Sequence, residues 1–249
     1  MILAERLQQT LEAFGARKDG ITGIEISAPD SWSVEAAFTL PAWGTFRIRS
    51  MREDDVATLD EFGRRLSPTS RHFFCPYPWD DAEKLPEALR IAVDQAVKKI
   101  DIAYFLEHDG GPIGFFFLWK GGGNPHSQAH GIEVPELGVA VTDAWQGRGF
   151  GALAVLLLED VAAVVGADAI ELTTALDNNA GWQAYLRAGF DYIGIISNPL
   201  DVDVTAVTAG EATACRYRDE RQMVYHLNPA TREAVLRYLQ FKRETAAHP

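Results

Sequence analysis

The chain has 249 residues, of which 47% are hydrophobic, and carries 35 acidic against 23 basic side chains for a formal net charge of -12. The hydrophobic share is that of an ordinary folded protein, and the acidic excess argues against a nucleic-acid or anionic-lipid surface. Cys75 and Cys215 are too few for a disulfide framework, the first twenty residues are too charged for a secretory signal (Glu5, Arg6, Glu12, Arg17, Lys18), and no apolar run reaches the roughly 20 residues that cross a bilayer. The expectation is a cytoplasmic protein with neither a membrane nor a nucleic-acid partner.

Ile2, Leu3, Leu7, Leu11 and Phe14 recur at helical spacing and predict a helix over 2–16. Segments 21–26 and 34–40 alternate and predict a hairpin about Pro29, Asp30 and Ser31. Pro41 to Gly44 then separates this piece, so 1–45 reads as an extension, 46–228 as the main domain and 229–249 as a C-terminal helix. The main domain opens with a strand at 45–50 and a helix at 53–66. Ser67 to Trp79 contains Pro68, Pro76 and Pro78 and is expected to be irregular. A helix at 83–99 precedes a hairpin, 100–107 and 113–119, about Asp109, Gly110 and Gly111. A glycine-rich loop, 121–131, leads to a strand at 136–141 and a helix at 149–165 closed by Gly166. A strand at 169–174 and a helix at 178–190 come next. Strands are expected at 191–196, 213–217 and 222–227, with a polar connection at 201–211. Pro229 opens the final helix.

The most informative stretch is Glu136 to Gly151, an alternating apolar strand that turns through Gln146-Gly147-Arg148-Gly149-Phe150-Gly151 into an apolar helix. Glycine lets a backbone approach a ligand closely, and a helix start offers unpaired N–H groups to a phosphate. A P-loop is excluded, because no Lys and Ser/Thr come after the last glycine. Gly149, Gly151 and Ala154 spell a dinucleotide fingerprint, but Thr142 to Arg148 intervene between strand and turn, and Glu171 falls at the start of the next strand rather than its end.

The spacing Gln146-x-x-Gly149-x-Gly151 resembles the acyl-CoA signature of the GNAT N-acetyltransferase superfamily. Asn178-Asn-Ala-Gly-Trp-Gln-Ala-Tyr-Leu-Arg-Ala-Gly-Phe190 is similar to that family's second helix motif, with Gly181 where the family has alanine. The resemblance spans roughly Phe46 to Leu227. It implies an α+β fold, a mixed and mostly antiparallel central sheet flanked by helices, here with the N-terminal extension and C-terminal helix added. It implies acetyl-CoA as cosubstrate, no metal, and acyl transfer to a primary amine, either a small molecule or a lysine side chain. The alternative is a non-catalytic acyl-CoA sensor, and a homodimer is left open.

Residue by residue, the resemblance implies that the backbone of Val139, Ala140 and Val141 pairs with the pantetheine arm, the Val139 N–H facing the thioester oxygen. Gln146, Gly147, Arg148, Gly149, Phe150, Gly151 and Ala152 would hold the pyrophosphate. Tyr185 would protonate the departing thiolate, or else pack against its helix neighbours. Asn178 would bond the carrier's amide arm, or else cap the helix it precedes. Glu136 would act as base through a water, with Glu133 as fallback. His126 and His130 sit in a loop without a metal-binding partner set. The Phe73, Phe74, Tyr77 and Trp79 cluster reads as an acceptor wall or as packing. With the acidic composition, it leads to the expectation of a positively charged primary amine.

Overall fold

A computed structural model describes residues 2–199 and 217–246. The elements are α1 (Leu3–Gly15), β1 (Thr22–Ser27), β2 (Glu35–Leu40), β3 (Gly44–Ser50), α2 (Val56–Arg64), α3 (Pro68–Phe73), α4 (Leu85–Val97), β4 (Ile102–His108), β5 (Gly111–Trp119), α5 (Pro125–Gln128), β6 (Glu136–Val141), α6 (Phe150–Val165), β7 (Ala169–Ala175), α7 (Asn179–Arg187), β8 (Asp191–Pro199), β9 (Tyr217–His226) and α8 (Arg232–Ala246). The strands form one sheet in the order β1-β2-β3-β4-β5-β6-β7-β9-β8. Every pairing is antiparallel except β6 with β7.

The near-continuous apolar run of β5 marks a strand covered on both faces. Its side chains alternate. Phe116 and Leu118 join a cluster beneath α1 and α6, while Phe115 and Phe117 join a second one beneath α2 and α4. The first cluster also takes Leu3, Leu7, Leu11 and Phe14 of α1 and Phe38 of β2. Residues 1–45 therefore share their core and their sheet with the rest of the chain, and packing continues unbroken across residue 45. A third, smaller cluster seats Val235, Tyr238 and Leu239 of α8 against Val134, Ala169 and Val224.

Three local expectations are corrected by the structure. Ser67 to Trp79 is not irregular throughout: Pro68 stands at the first helical position, where its missing N–H costs nothing, and the Ser67 hydroxyl accepts from Ser70 N at 3.2 Å, so α3 forms. The glycine-rich loop contains the short α5, capped by Asn124. Helix 178–190 ends at Arg187, with Gly189 beyond it at φ +93°. The polar connection at 201–211, and most of the strand expected at 213–217, lie outside the described residues.

Leu11 is fully buried between α1 and the α6 side of the core. Leu11→Ala is expected to cost about 2–5 kcal/mol. Thermal unfolding measured by near-UV and far-UV circular dichroism should show one shifted transition. A separate early transition for the N-terminal part would mean that it folds independently.

Candidate active site

The site begins where β6 and β7 separate. They share a single registered pair, Glu136 with Glu171, sealed by Glu171 N donating to Pro135 O at 3.0 Å. Beyond it β7 pairs along its whole length with β9, and β6 pairs along its whole length with β5. Thr142 N donates to Ile113 O at 2.8 Å. Hydrogen bonding in an antiparallel ladder alternates, so the N–H groups of Val139 and Val141 face away from β5, into the gap. The Val141 carbonyl lies on that same edge and accepts from Gln146 Nε2 at 2.9 Å. The gap is a cleft of about 410 Å³, walled by β6, the start of α6, α7 and, from α3, Thr69, Ser70 and Phe73. Asp143 fixes that last wall by accepting from Ser67 N at 2.8 Å and from the Ser67 and Ser70 hydroxyls at 2.7 and 2.9 Å.

At one end of the cleft α6 starts bare. Its N-cap is Gly149 at φ +90°, no side chain caps the first turn, and no acidic residue lies in it. Gly147, at φ +72°, makes the turn before it. The arrangement offers backbone donors and a positive helix end to an anion. Gln146, Gly147, Phe150, Gly151 and Ala152 line the cleft. A side chain at Gly151 would meet nothing within 4 Å, whereas one at Gly149 would meet Phe14 and Lys18 of the N-terminal part at 3.4–3.6 Å. Glycine at 149 is therefore called for by its left-handed backbone, with α1 in ordinary contact beside it. Arg148 stacks its guanidinium on Trp145 and Trp43, at 4.6 and 5.4 Å, outside the cleft lining. Lys18, 5.5 Å from the Trp43 ring, adds a second cation to this corner. Nothing in the sequence pointed to it, because Lys18 precedes the glycine turn by more than a hundred residues.

Val139, Ala140, Val141, Asn178 and Tyr185 also line the cleft. Tyr185 is half-buried with its ring edge on Phe190 at 5.9 Å, and burial pushes its hydroxyl up to about 12. Asn178 caps α7: its Oδ1 accepts from Gly181 N at 3.0 Å and its Nδ2 donates to Thr174 Oγ1 at 3.1 Å. A β-carbon at Gly181 would stand 2.5 Å from Asn178 Nδ2, so glycine at 181 and this asparagine conformation go together.

Glu136 does not line the cleft. It borders an adjoining pocket of about 350 Å³ that meets the cleft along Leu137, Gly138, Phe73, Phe74 and Thr173. Its Oε2 accepts from Lys242 Nζ at 3.1 Å. Glu133 is tied to its loop, accepting from Asn124 N at 2.6 Å and Gln128 Nε2 at 2.8 Å. Phe73 and Phe74 do wall the adjoining pocket, but Tyr77 and Trp79 are 9% and 8% exposed and belong to the core under α2 and α4. They cannot hold an acceptor. His130 stacks on Tyr238 and Phe241, and among the described residues no group of three metal-ligating side chains comes together. Nor, among them, is any helix long and apolar enough to cross a membrane.

A parted parallel strand pair with an uncapped glycine helix start between the two strands makes a cleft suited to an extended, anionic ligand. Residues 67–190 match the Acetyltransferase (GNAT) family, and the chain belongs to that family through them. Solved structures share the fold, a mixed and mostly antiparallel sheet flanked by helices. The GNAT domain of S. lividans PAT is 20% identical, with a TM-score of 0.55 over 81% of this chain and 100% of that one. Mycobacterium smegmatis RimJ in complex with CoA-disulfide is 18% identical, TM-score 0.54, over 88% and 98%. Salmonella typhimurium yncA with its cofactor acetyl-CoA is 18% identical, TM-score 0.51, over 74% and 94%. No curated protein matches the sequence.

Because Asn178 caps α7, Asn178→Ala is expected to lose about 0.5–2 kcal/mol of stability, and Asn178→Ser considerably less. Urea denaturation of the ligand-free protein measures both. Equal stability of the alanine variant would remove the capping role.

Proposed function

We propose that this chain is an N-acetyltransferase that moves the acetyl group of acetyl-CoA to a primary amine, a small molecule or a lysine side chain, by direct attack. The observation that carries this reading is the continuity of two spaces. The cleft, with its bare helix start at one end and the unpaired Val139 and Val141 N–H groups along its wall, opens beside Gly138 into the pocket bordered by Glu136. A carrier whose phosphates sit at Gly147 and Gly151 to Ala152 would run its arm along β6 and present its thioester at that opening.

In the reaction the amine nitrogen bonds to the thioester carbon, the carbon–sulfur bond breaks, and the nitrogen loses a proton. The Val139 N–H would donate to the carbonyl oxygen as negative charge develops on it. Glu136, through a water, takes the nitrogen's proton. The Tyr185 hydroxyl, held protonated by its burial, donates a hydrogen bond to the leaving sulfur. Complete transfer to a thiolate near 8.5 would be uphill by about 3.5 units, about 5 kcal/mol, so hydrogen bonding is its main contribution. Its raised value also means that Tyr185 keeps its proton as pH rises toward about 12 and does not set the alkaline end of the working range.

A second reading, a non-catalytic acyl-CoA sensor, is favoured by one observation: the Glu136 carboxylate is already paired with Lys242. Free thiol released from acetyl-CoA in the presence of a panel of amines separates the two readings, since a sensor releases none.

Gly151→Asp would place a carboxylate in the open space where phosphate is expected. It should weaken acetyl-CoA binding about 10-fold or more, since opposed like charges cost several kcal/mol. Calorimetry showing equal binding by the folded variant would move the carrier elsewhere. Tyr185→Phe should lower kcat about 10–100-fold, the loss of a hydrogen bond to a developing anion worth about 1.5–3 kcal/mol, and leave carrier affinity near that of the parent; unchanged turnover would return Tyr185 to packing.

A further inference from the structure

Glu136 and Glu171 form the one registered pair between β6 and β7, and both carboxylates reach the same ammonium. Lys242 Nζ, from α8, is 3.1 Å from Glu136 Oε2 and 2.9 Å from Glu171 Oε1. Lys242 lies outside the segment that matches the acetyltransferase family. We propose that Lys242 is a positioning residue for amine deprotonation: its ammonium offsets the repulsion between the Glu136 and Glu171 carboxylates and holds the Glu136 carboxylate at the edge of the acceptor pocket. The proposal rests on the reading of Glu136 as the group that takes the amine's proton.

The argument is one of charge in a confined space. Two carboxylates at one register position of adjacent strands, with no cation between them, repel each other, and the pair binds a proton more readily. Glu171 is 1% exposed, and burial together with Glu136 pushes its carboxyl up against the pull of Lys242 and Gln222, whose Nε2 donates to Glu171 Oε2 at 3.1 Å. Burial alone would favour neutral Lys242, but the two carboxylates outweigh it and hold the ammonium charged. A charged lysine is not a nucleophile, so the pairing also protects Lys242 from being acetylated in place of the acceptor.

The other charged groups around the triad do not substitute for Lys242. On the acceptor side Arg218 of β9 is paired with Glu220, its Nε 2.9 Å from Glu220 Oε1, and its Nη2 lies 3.2 Å from Cys75 Sγ. On the far side, Glu136, Glu171 and Lys242 border a cavity of about 550 Å³ with Asp101, Lys120, His126 and Tyr238. Asp101 there accepts the Lys120 backbone N–H at 2.7 Å. On α8 itself, Arg243 donates to Gln222 Oε1 at 2.7 Å rather than to either carboxylate. Among the described residues Lys242 is the one ionic partner of Glu136. Since Glu136 and Lys242 line both spaces, their pair is also the wall between them.

The test compares the parent protein, Lys242→Met and Lys242→Arg, each labelled with ¹³C at the glutamate side-chain carboxyls and titrated by NMR, with the acid limb of kcat/KM measured in parallel. In Lys242→Met the first proton uptake by the Glu136–Glu171 pair should move up by about 1–3 pH units, and the acid limb should move with it. Lys242→Arg should keep both near the parent. Adding Glu171→Gln to Lys242→Met removes the competing carboxylate and should bring the limb back toward the parent. Acetyl-CoA affinity verifies the fold of each variant; should the methionine variant fail to fold, Lys242→Gln gives the same comparison. A folded Lys242→Met with an unmoved titration, or with a rate lowered equally at every pH, overturns the proposal and leaves Lys242 a packing residue. The NMR titration needs no turnover. A moved titration with no thiol release from any amine would uphold the charge role of Lys242 and sink the acetyltransferase reading instead.

Discussion

β6 and β7 touch at one residue pair and then part, and most of the candidate site is a consequence of that parting. A buried N–H without a partner costs about 1–3 kcal/mol, so an edge such as Val139 to Val141 is not left bare inside a fold without reason. Here the edge looks into a cleft that is open enough for a ligand to take the place of the missing strand. The sheet tolerates the break because each strand is secured on its other side, β6 by all six residues against β5 and β7 by all seven against β9. Gly138 shows how close the packing is on that secured side: a β-carbon there would lie 2.2 Å from the Phe117 ring.

The same break explains why parts of the chain outside the family segment matter. Separated strands need external support at each end of the cleft. At the α6 end, Phe14, Lys18 and Trp43 of the N-terminal part pack around Gly149 and Arg148, so the helix start is braced by residues from outside the family segment. At the closed end, Lys242 of α8 reaches both carboxylates of the one β6–β7 pair and offsets their repulsion. A buried carboxylate pair without that cation would strain the junction from which the strands diverge.

What the sequence disclosed and what it withheld divide along physical lines. The apolar spacing of Leu3, Leu7, Leu11 and Phe14 announced α1, and the glycine turn before Phe150 announced the bare helix start, because both are local patterns. Pro68 misled because a proline is a breaker inside a helix and a good first residue at its start, and only the Ser67 cap decides between them. Tyr77 and Trp79 misled because an aromatic cluster looks the same in sequence whether it walls a pocket or fills a core; Trp79 Nε1 donating to Phe74 O at 2.7 Å places it in the core. The Gly149 and Arg148 positions fit the motif by spacing, yet face α1 and two indoles, which spacing does not report. Lys242 had no sequence signal at all, since its partners are Glu136 and Glu171 on two other elements.

The acceptor pocket shows how a global property fails locally. The chain's charge of -12 suggested an acidic site that gathers cations, but the two pocket carboxylates are both engaged, Glu136 by Lys242 and Glu220 by Arg218. Among the described residues an incoming ammonium would find no free counter-ion there and would meet instead Phe73, Phe74, Phe117 and Trp119. Such surroundings disfavour the charged form of an amine and favour the neutral one. The neutral amine is the form that attacks a thioester. Under the proposed reaction, a pocket whose carboxylates are already satisfied would select for the reactive protonation state, and the affinity given up for a cation would be affinity for the unreactive species.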